Sequence, residues 1–205
     1  ARICGICPVS HLMASAKACD ALLAVRIPKT GANLRRIMNL GQIIQSHALS
    51  FFHLSSPDFI IGWDADPKVR NIVGVAQQSP QMALDGIRLR KFGQQVIEIL
   101  GVKRVHPAWV VPGGVNEPLN QEKKDTILSQ IPEMKAITHR TLAWFKNNIG
   151  NHRDEISTFA NFPTMFMGLV TDEGGLEHYD GKLRFVDASG RKVQEDIEPA
   201  RYMDY

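Results

Sequence analysis

Two cysteines and a histidine stand close together near the start of the printed sequence, where Cys4, Cys7 and His11 fall in the stretch Arg-Ile-Cys-Gly-Ile-Cys-Pro-Val-Ser-His. Pro8 follows the second cysteine directly, and proline is favoured at the first position of an α-helix because it has no N–H to leave unpaired. The thiols are therefore predicted to lie on the loop that enters a helix. The positive end of that helix, together with Arg2, favours thiolate at both sulfurs, and thiolate is the form that binds metals.

Several kinds of site compete for this cysteine pair. A c-type haem attachment is excluded, because Pro8 occupies the place of the histidine in C-x-x-C-H. A thioredoxin-like redox pair needs a preceding strand, which so short a lead cannot supply. A structural zinc site needs four ligands, and Cys19, the third cysteine, is most simply a small core residue. A zinc site and a redox metal site with His11 as ligand or hydrogen-bond donor both stay open.

The position of the motif leads to one expectation about the chain as a whole. Metal sites normally have protein on every side, and little of the sequence precedes Cys4. We expect the chain to be a fragment of a larger protein. The residues from Glu198 to Tyr205 show no stop signal and suggest the same at the other end.

Composition narrows the class of protein. Of 205 residues, 44% are hydrophobic and 22% are charged, which is ordinary for a soluble globular protein, and the net charge of +3 is too small to argue for nucleic acid. Charged residues interrupt every candidate membrane span. Three cysteines are too few for a disulfide scaffold and favour a reducing compartment, so a cytoplasmic protein is expected.

Helical periodicity dominates the first 160 residues, and the predicted fold is mainly α. The pattern predicts a helix over 12–25 that is buried nearly all round. Further helices are predicted from about Asn33 to Ser55 with Pro57 ending it, from Gln81 to Leu100 with Gly101 as C-cap, from Asn120 to Asn148 with Pro132 kinking or dividing it, and from Arg153 to Ala160.

The second of these helices carries an unusual polar stripe. Its second face presents neutral hydrogen-bonding side chains and no Lys, Asp or Glu after Met38: Gln42, Gln45, Ser46, His47 and His53. A solvent-facing stripe usually carries charges, so we expect both sides of this helix to be buried, with the polar groups bonded internally or lining a site. Histidines in such a helix are more often hydrogen-bonded core residues than ligands.

The end of the sequence has a different character. Asp180-Gly181 and Ser189-Gly190 separate short runs that are typical of a small β-hairpin near 178–194. The predicted organisation is a single piece of a larger domain, with a helical core over 1–160 and an irregular, β-hairpin region over 161–205. A loop over 103–115 contains Gly113-Gly114, which predicts special backbone angles or the close approach of another element.

Three ordered motifs resemble one known family. Arg2-x-Cys4-Gly5-x-Cys7-x-x-x-His11 and the stretches 39–58 and 103–115 are similar to the large subunit of nickel-iron hydrogenases. The wording is closest to the cytoplasmic, bidirectional, NAD-linked (Hox-type) group, and the resemblance covers most of residues 1–160. It implies a fragment of the helical fold of that subunit.

The resemblance also implies a metal centre. In such proteins nickel is held by four cysteine thiolates, two of which bridge to an iron that carries carbon monoxide and cyanide. Carried over, Cys4 is the terminal nickel ligand and Cys7 the nickel-iron bridging ligand. His11 would donate a hydrogen bond to bridging sulfur, and Arg2, Ser46 and His47 would lie nearby. Ser46 replaces the aspartate expected in many membrane-bound uptake relatives, which would remove a charge near the metals.

The implied reaction is heterolytic cleavage of hydrogen, or its reverse, with H2 and protons as substrates. Electrons would pass to the iron-sulfur clusters of a small subunit and then to NAD through a flavin-containing diaphorase module. The chain shows neither a cluster motif nor a flavin fingerprint, so those cofactors are expected only in partner subunits.

Two family motifs are missing from the sequence. The second cysteine pair, in Asp-Pro-Cys-x-x-Cys, and the acidic N-terminal motif thought to relay protons are both absent. The chain by itself is therefore predicted to be inactive. The alternatives are a metal-free relative of the quinone-reducing subunit of respiratory complexes, which the retained cysteines disfavour, and a zinc-stabilised interaction module, which the missing fourth ligand disfavours.

Overall fold

The computed structural model describes residues 2–205 as two compact units, one ending at Trp144 and the other formed by Phe145–Tyr205. Helices make up most of the first unit, and small antiparallel sheets occur in both. The predicted mainly α fold with a β-hairpin region towards the end of the sequence is confirmed.

The helices are numbered in chain order. They are α1 (Pro8–Leu22), α2 (Lys29–Leu49), α3 (Ser56–Ile60), α4 (Ile72–Gln78), α5 (Pro80–Gly101), α6 (Gln121–Asn148) and α7 (Arg153–Thr158). A π-helical turn, Ser50–Ser55, joins α2 to α3, and short 3-10 turns cover Ile149–His152 and Pro199–Asp204. The strands are β1 (Val110–Val111), β2 (Gly114–Val115), β3 (Phe166–Val170), β4 (Lys182–Val186) and β5 (Lys192–Ile197).

The first unit is built around the close crossing of α2 and α5. A β-carbon at Gly93 would press on the carbonyl oxygen of Gly41 and lie 2.7 Å from the amide nitrogen of Gln45, so the two backbones touch at this point. Apolar side chains fill the space on either side of the crossing, with Leu34, Met38 and Ala48 from α2 and Leu89, Phe92, Val96 and Ile97 from α5. Glycine at the crossing is what brings α2 this close to the core.

A buried ion pair holds α6 against α5. Arg140 donates from Nε to one oxygen of Asp85 at 2.6 Å and from a terminal nitrogen to the other oxygen at 2.5 Å. The Asp85 side chain is 3% exposed, and Gln81 also donates to it. A forked Arg–carboxylate pair of this kind fixes orientation as well as distance.

Two predictions at helix boundaries are wrong. Pro57 does not end the second helix, because the wider π-helical turn at Ser50–Ser55 lets the chain re-enter α-helix with Pro57 in its first turn, where no N–H is needed. Gly101 is not the C-cap either. It is the last residue of α5, packed against Pro107, and Val102 takes the left-handed conformation at φ 66°.

The predicted helix over 120–148 is present as the single helix α6. It continues through Pro132 and is not divided in two. The polar residues of its first turn, and the side chains on the face away from α5, are exposed, as the amphipathic pattern indicates.

Helix α1 is less buried than its composition suggests. Val9, Met13 and Ala16 are buried on the side that packs against α2 and β1, whereas Leu22 at the other end of the helix is 84% exposed. The prediction of burial nearly all round is therefore wrong. Cys19, predicted as a core residue, is only half-buried.

The second unit contains the predicted hairpin. β4 pairs with β5 through a turn in which Gly190 has φ 81°, and β3 pairs with β4 to give the sheet order β3-β4-β5. The third strand was not predicted, because Phe166–Val170 is a short apolar run without the alternation of a half-buried strand.

Helix length and hydropathy together test for membrane insertion. No helix within residues 2–205 is both long and apolar enough to cross a membrane.

Candidate metal centre

The cysteine pair lies at the beginning of α1, as the sequence predicts. Pro8 is the first residue of the helix and Cys7 is its N-cap. Cys4 is exposed, Cys7 is half-exposed, and both are free thiols. The two sulfurs are thus presented on a loop at the positive end of a helix, where an incoming metal can reach them.

The two sulfurs differ in their affinity for a proton. Cys4 Sγ accepts hydrogen bonds from the backbone N–H groups of Ile6 and Cys7, both at 3.3 Å. The hydrogen bond from the Cys7 side chain lowers the pKa of Cys4 most, and these two backbone donors add to the effect. The same bond to Cys4 raises the pKa of Cys7, with burial and the charge of Cys4 acting in the same direction. The prediction that both sulfurs favour thiolate is therefore wrong for the metal-free chain, since Cys4 is favoured at the expense of Cys7.

Helix α2 holds this loop through two buried amides. Gln42 accepts from the N–H of Ser10 at 2.9 Å and donates to the Ser10 hydroxyl at 2.5 Å. One turn further along, Gln45 donates to the carbonyl oxygen of Ile6 at 2.5 Å. The expectation that polar groups on this helix are bonded internally or line a site is confirmed for these two side chains.

A buried arginine joins α1 and α2 to the β1–β2 hairpin. Arg35 is fully buried and donates to the Asp20 carboxylate at 2.6 Å, to the Gly114 carbonyl at 3.0 Å and to the Val111 carbonyl at 2.8 Å. The N–H of Gly113 also donates to Asp20, at 2.7 Å. One guanidinium thus connects three elements, and this fixes the direction of α1 behind the cysteine loop.

The glycine pair of the hairpin has the special geometry that the sequence predicts. Gly113 has φ 87° and Gly114 has φ 152°, angles that side chains larger than glycine rarely adopt. These angles turn the Gly113 N–H and the Gly114 carbonyl towards Asp20 and Arg35.

The Asp20–Arg35 pair gives a pH dependence that can be measured. Hydrogen bonds from Arg35 lower the pKa of Asp20 in the folded chain. Its contribution to stability is therefore fully present above the pKa of the unfolded chain, about 3.9, and is lost as the pH falls from there through the folded pKa. We expect Asp20→Asn to lower the free energy of unfolding by about 1.5–3 kcal/mol at pH 7, and this difference to shrink below pH 4.

Urea titrations of both proteins between pH 7 and pH 3 measure this difference. Asp64→Asn, which removes a carboxylate from an exposed turn, is the control and should change stability little at any of these pH values. A loss from Asp20→Asn that stays constant down to pH 3 would contradict the pairing.

The other predicted site residues lie near this loop without bonding to the sulfurs. Arg2 and His11 are exposed, and within residues 2–205 His11 makes no hydrogen bond to Cys4 or Cys7. Ser46 is half-buried on α2, one turn along from Gln42, and His47 is exposed with its Nδ1 2.9 Å from the Ile43 carbonyl oxygen. Their predicted places beside a metal stay predictions.

His53 lies in the π-helical turn rather than among the ligands. Burial lowers its pKa, and the charge of Arg90 acts in the same direction, so the ring is neutral at pH 7. This agrees with its interpretation as a residue of the protein interior.

The donor chemistry fits half of a thiolate-bound metal centre. Soft thiolates suit nickel and low-spin iron, and Cys4 and Cys7 are two such donors with no disulfide between them. In the part of the chain that the structure describes, no three His, Cys, Asp or Glu side chains are grouped so as to hold a metal ion. His11 and Cys19 therefore do not complete a structural zinc site with the pair here.

Comparison with known proteins decides between the remaining alternatives. The family model described as nickel-dependent hydrogenase matches residues 1–78, which include the cysteine loop and both glutamines. A protein of the vhu F420-non-reducing hydrogenase from Methanocaldococcus jannaschii is 40% identical over 204 residues. The chain belongs to the nickel-dependent hydrogenase family.

The similarity to these hydrogenases extends over the whole chain but not over the whole of the relatives. The alignment with the Methanocaldococcus protein covers 100% of this chain and 48% of that protein. NAD-reducing hydrogenase HoxS subunit beta from Cupriavidus necator is 33% identical over 216 residues, covering 100% of this chain and 44% of the relative. The chain thus spans about half the length of the curated hydrogenases it matches.

Solved hydrogenase structures share the fold. A crystal structure of an NAD+-reducing nickel-iron hydrogenase in the H2-reduced state matches with a TM-score of 0.95 and 39% identity, over 98% of this chain and 45% of that one. A Ni-Fe-Se hydrogenase from D. vulgaris Hildenborough matches with a TM-score of 0.75 at 22% identity, over 98% of this chain and 43% of that one, and supports the fold alone. The predicted resemblance to hydrogenase large subunits is confirmed.

Some residues that shape the hydrogenase cysteine loop were not found from the sequence. Asp20, Arg35 and Ser10 were not singled out as site residues. One signal was present, because Arg35 stands between Leu34 and Met38 on the apolar side of α2, where a charge requires a buried partner. The partner could not be identified, since Asp20 lies on another helix.

Proposed function

We propose that this chain is part of the catalytic large subunit of a nickel-iron hydrogenase that cleaves H2 heterolytically and reversibly. The observation that carries the proposal is the free Cys4–Cys7 pair, presented at the N-terminus of α1 in a chain of the nickel-dependent hydrogenase family. Neither a quinone-reducing relative without metal nor a zinc module accounts for both facts.

The two thiolates would be ligands of the metals. Cys4 would bind nickel terminally, and Cys7 would bridge nickel to an iron that carries carbon monoxide and cyanide. The lowered pKa of Cys4 supports a ligand that is already anionic when the metal arrives. Binding would also deprotonate Cys7, because a metal replaces the shared proton between the two sulfurs.

The bound metals would supply the polarisation of H2 and the change of redox state. The protein residues would hold and orient the thiolates and govern access for protons. Arg2 and His11 are exposed beside the loop, and His47 is exposed on α2, so these three are the side chains free to turn towards the centre. Half-buried Ser46 offers a neutral hydroxyl on α2, so it adds no negative charge to the environment of the metals.

The domain assignment follows from the same proposal. Residues 1–160 would form the helical part that carries the first cysteine motif, and 161–205 the β-hairpin part, of one larger domain. The two remaining thiolates would come from protein outside residues 2–205. The 205-residue chain alone is then expected to hold no complete centre and to show no hydrogen-dependent dye reduction.

The electrons are proposed to leave through partner subunits. A small subunit with iron-sulfur clusters would take them first, and a flavin-containing diaphorase module would pass them to NAD. The similarity to the NAD-reducing HoxS subunit beta and to the NAD+-reducing enzyme structure supports this acceptor. Because NAD is a soluble acceptor, the protein would work in the cytoplasm.

Metal analysis of the native protein tests the proposal. The protein that contains this chain would be purified without oxygen, together with any subunits that accompany it, and analysed for nickel and iron and by infrared spectroscopy. We expect about one nickel per large subunit, with infrared bands of bound carbon monoxide and cyanide. Cys7→Ser should abolish both signals, whereas Cys19→Ser should retain them. Zinc alone, or no metal in the wild-type protein, would overturn the proposal.

A further inference from the structure

Gln45 and Cys4 bind opposite ends of one peptide unit. The peptide between Ile6 and Cys7 accepts a hydrogen bond at its carbonyl oxygen from Gln45 Nε2, at 2.5 Å. The N–H of the same peptide donates to Cys4 Sγ at 3.3 Å. Because a trans peptide is planar, its C=O and N–H point in opposite directions, and fixing one end fixes the other.

Gln42 fixes the chain on the far side of Cys7. It both accepts from the N–H of Ser10 and donates to the Ser10 hydroxyl, which ties the first turn of α1 to α2. Cys7 therefore lies between two anchored points, the carbonyl of Ile6 and the backbone of Ser10. Neither anchor depends on the sulfur atoms themselves.

Both glutamines are buried, at 3% and 4% exposure. A buried amide is costly unless its groups are hydrogen-bonded, and an apolar side chain of the same length would fill the space without that cost. The bonds made by these amides all go to the cysteine loop and the helix that follows it. Helix α2 itself is held in place by its backbone contact with Gly93 of α5, so the anchors are attached to the rigid core.

We infer that Gln42 and Gln45 are positioning residues, which set the backbone around Cys7 and aim the Cys7 N–H at the Cys4 sulfur. The metal ligands are thereby preorganised by α2 before any metal binds. This inference rests on the proposed function for its consequence at the metals, while the backbone arrangement stands independently of it.

Substitutions of matched size test the inference. Gln45→Met keeps the length and loses the donor to the Ile6 carbonyl, and Gln42→Met loses both bonds to Ser10. Gln78→Met is the control, because Gln78 also donates to a backbone carbonyl, that of Ile60, at 3.2 Å and away from the cysteines. Each variant would be made in the native protein.

Two measurements separate positioning from general stability. Hydrogen exchange of the metal-free protein reports the loop directly, and we expect the amides of residues 6–10 to exchange roughly three- to tenfold faster in the Gln45 and Gln42 variants. Exchange in α5 should be unchanged. Nickel content of the protein as purified should fall in the same two variants and not in Gln78→Met.

Each result has a defined meaning. Unchanged exchange in residues 6–10, or faster exchange with full nickel content, would overturn the positioning role. Equal acceleration throughout α5 would also overturn it, since the glutamines would then be general core residues. If the wild-type protein holds no nickel, the proposed function fails, and the exchange comparison alone supports or overturns the arrangement of the loop.

Discussion

Replacing Arg35 with methionine is expected to lower the free energy of unfolding by about 3–5 kcal/mol. The methionine fills similar space but leaves the Asp20 carboxylate, which is 12% exposed, without its counter-ion. The carbonyl groups of Val111 and Gly114 lose their donor at the same time. Urea unfolding of the chain, followed by circular dichroism, measures the loss.

Two further variants test the reason for this loss. Arg104→Met removes an arginine that pairs with Glu98 on the surface, and it should cost less than about 1 kcal/mol. Arg35→Lys keeps the charge but cannot donate to three acceptors in a plane, so its stability should lie between those of the wild type and Arg35→Met. A loss from Arg35→Met no larger than that from Arg104→Met would contradict the central role of the buried arginine.

Replacing Gly93 with alanine is expected to destabilise the chain by about 1–3 kcal/mol or more. Alanine is the better helix former by about 1 kcal/mol, so helix propensity alone predicts the opposite sign. The added methyl would press on the Gly41 carbonyl oxygen and lie 2.7 Å from the Gln45 amide nitrogen, so α2 and α5 would have to separate. The same urea titration gives the magnitude.

Gly31→Ala is the matched control on α2. A β-carbon at Gly31 meets Gly114 at 3.6 Å, an ordinary contact, so this variant should be neutral or slightly stabilising. The α2–α5 crossing is not as close as described if Gly93→Ala proves as stable as Gly31→Ala. Separation of these helices would also move Gln45, so Gly93→Ala should accelerate amide exchange in residues 6–10.

These two variants act on different supports of one loop. Arg35 fixes α1 and the hairpin behind the cysteines, and Gly93 lets α2 approach closely enough for its glutamines to reach the loop. The cysteines themselves contribute little packing, because Cys4 is exposed and Cys7 half-exposed. The loop is therefore placed by its surroundings and not by the burial of its own side chains.

The sequence by itself determined the features that depend on near neighbours. Pro8 after Cys7 places the helix start, because proline restricts its own backbone angle and needs no hydrogen-bond partner at N1. The polar stripe of α2 and the Gly113-Gly114 turn were predicted for the same local reason. The motif spacing was enough to indicate the hydrogenase family, since the ligand residues lie close together in the chain.

Only the tertiary structure decided how those features are connected. Arg35 lies 15 residues from Asp20 and 79 from Gly114, and Gln45 lies 39 residues from Ile6. Periodicity shows which face of a helix is buried but not which neighbour covers it. The unequal proton affinities of Cys4 and Cys7 likewise follow from where two N–H groups point. Such directions arise when helices pack, because hydrogen bonding is short-ranged and depends on angles that no single segment fixes.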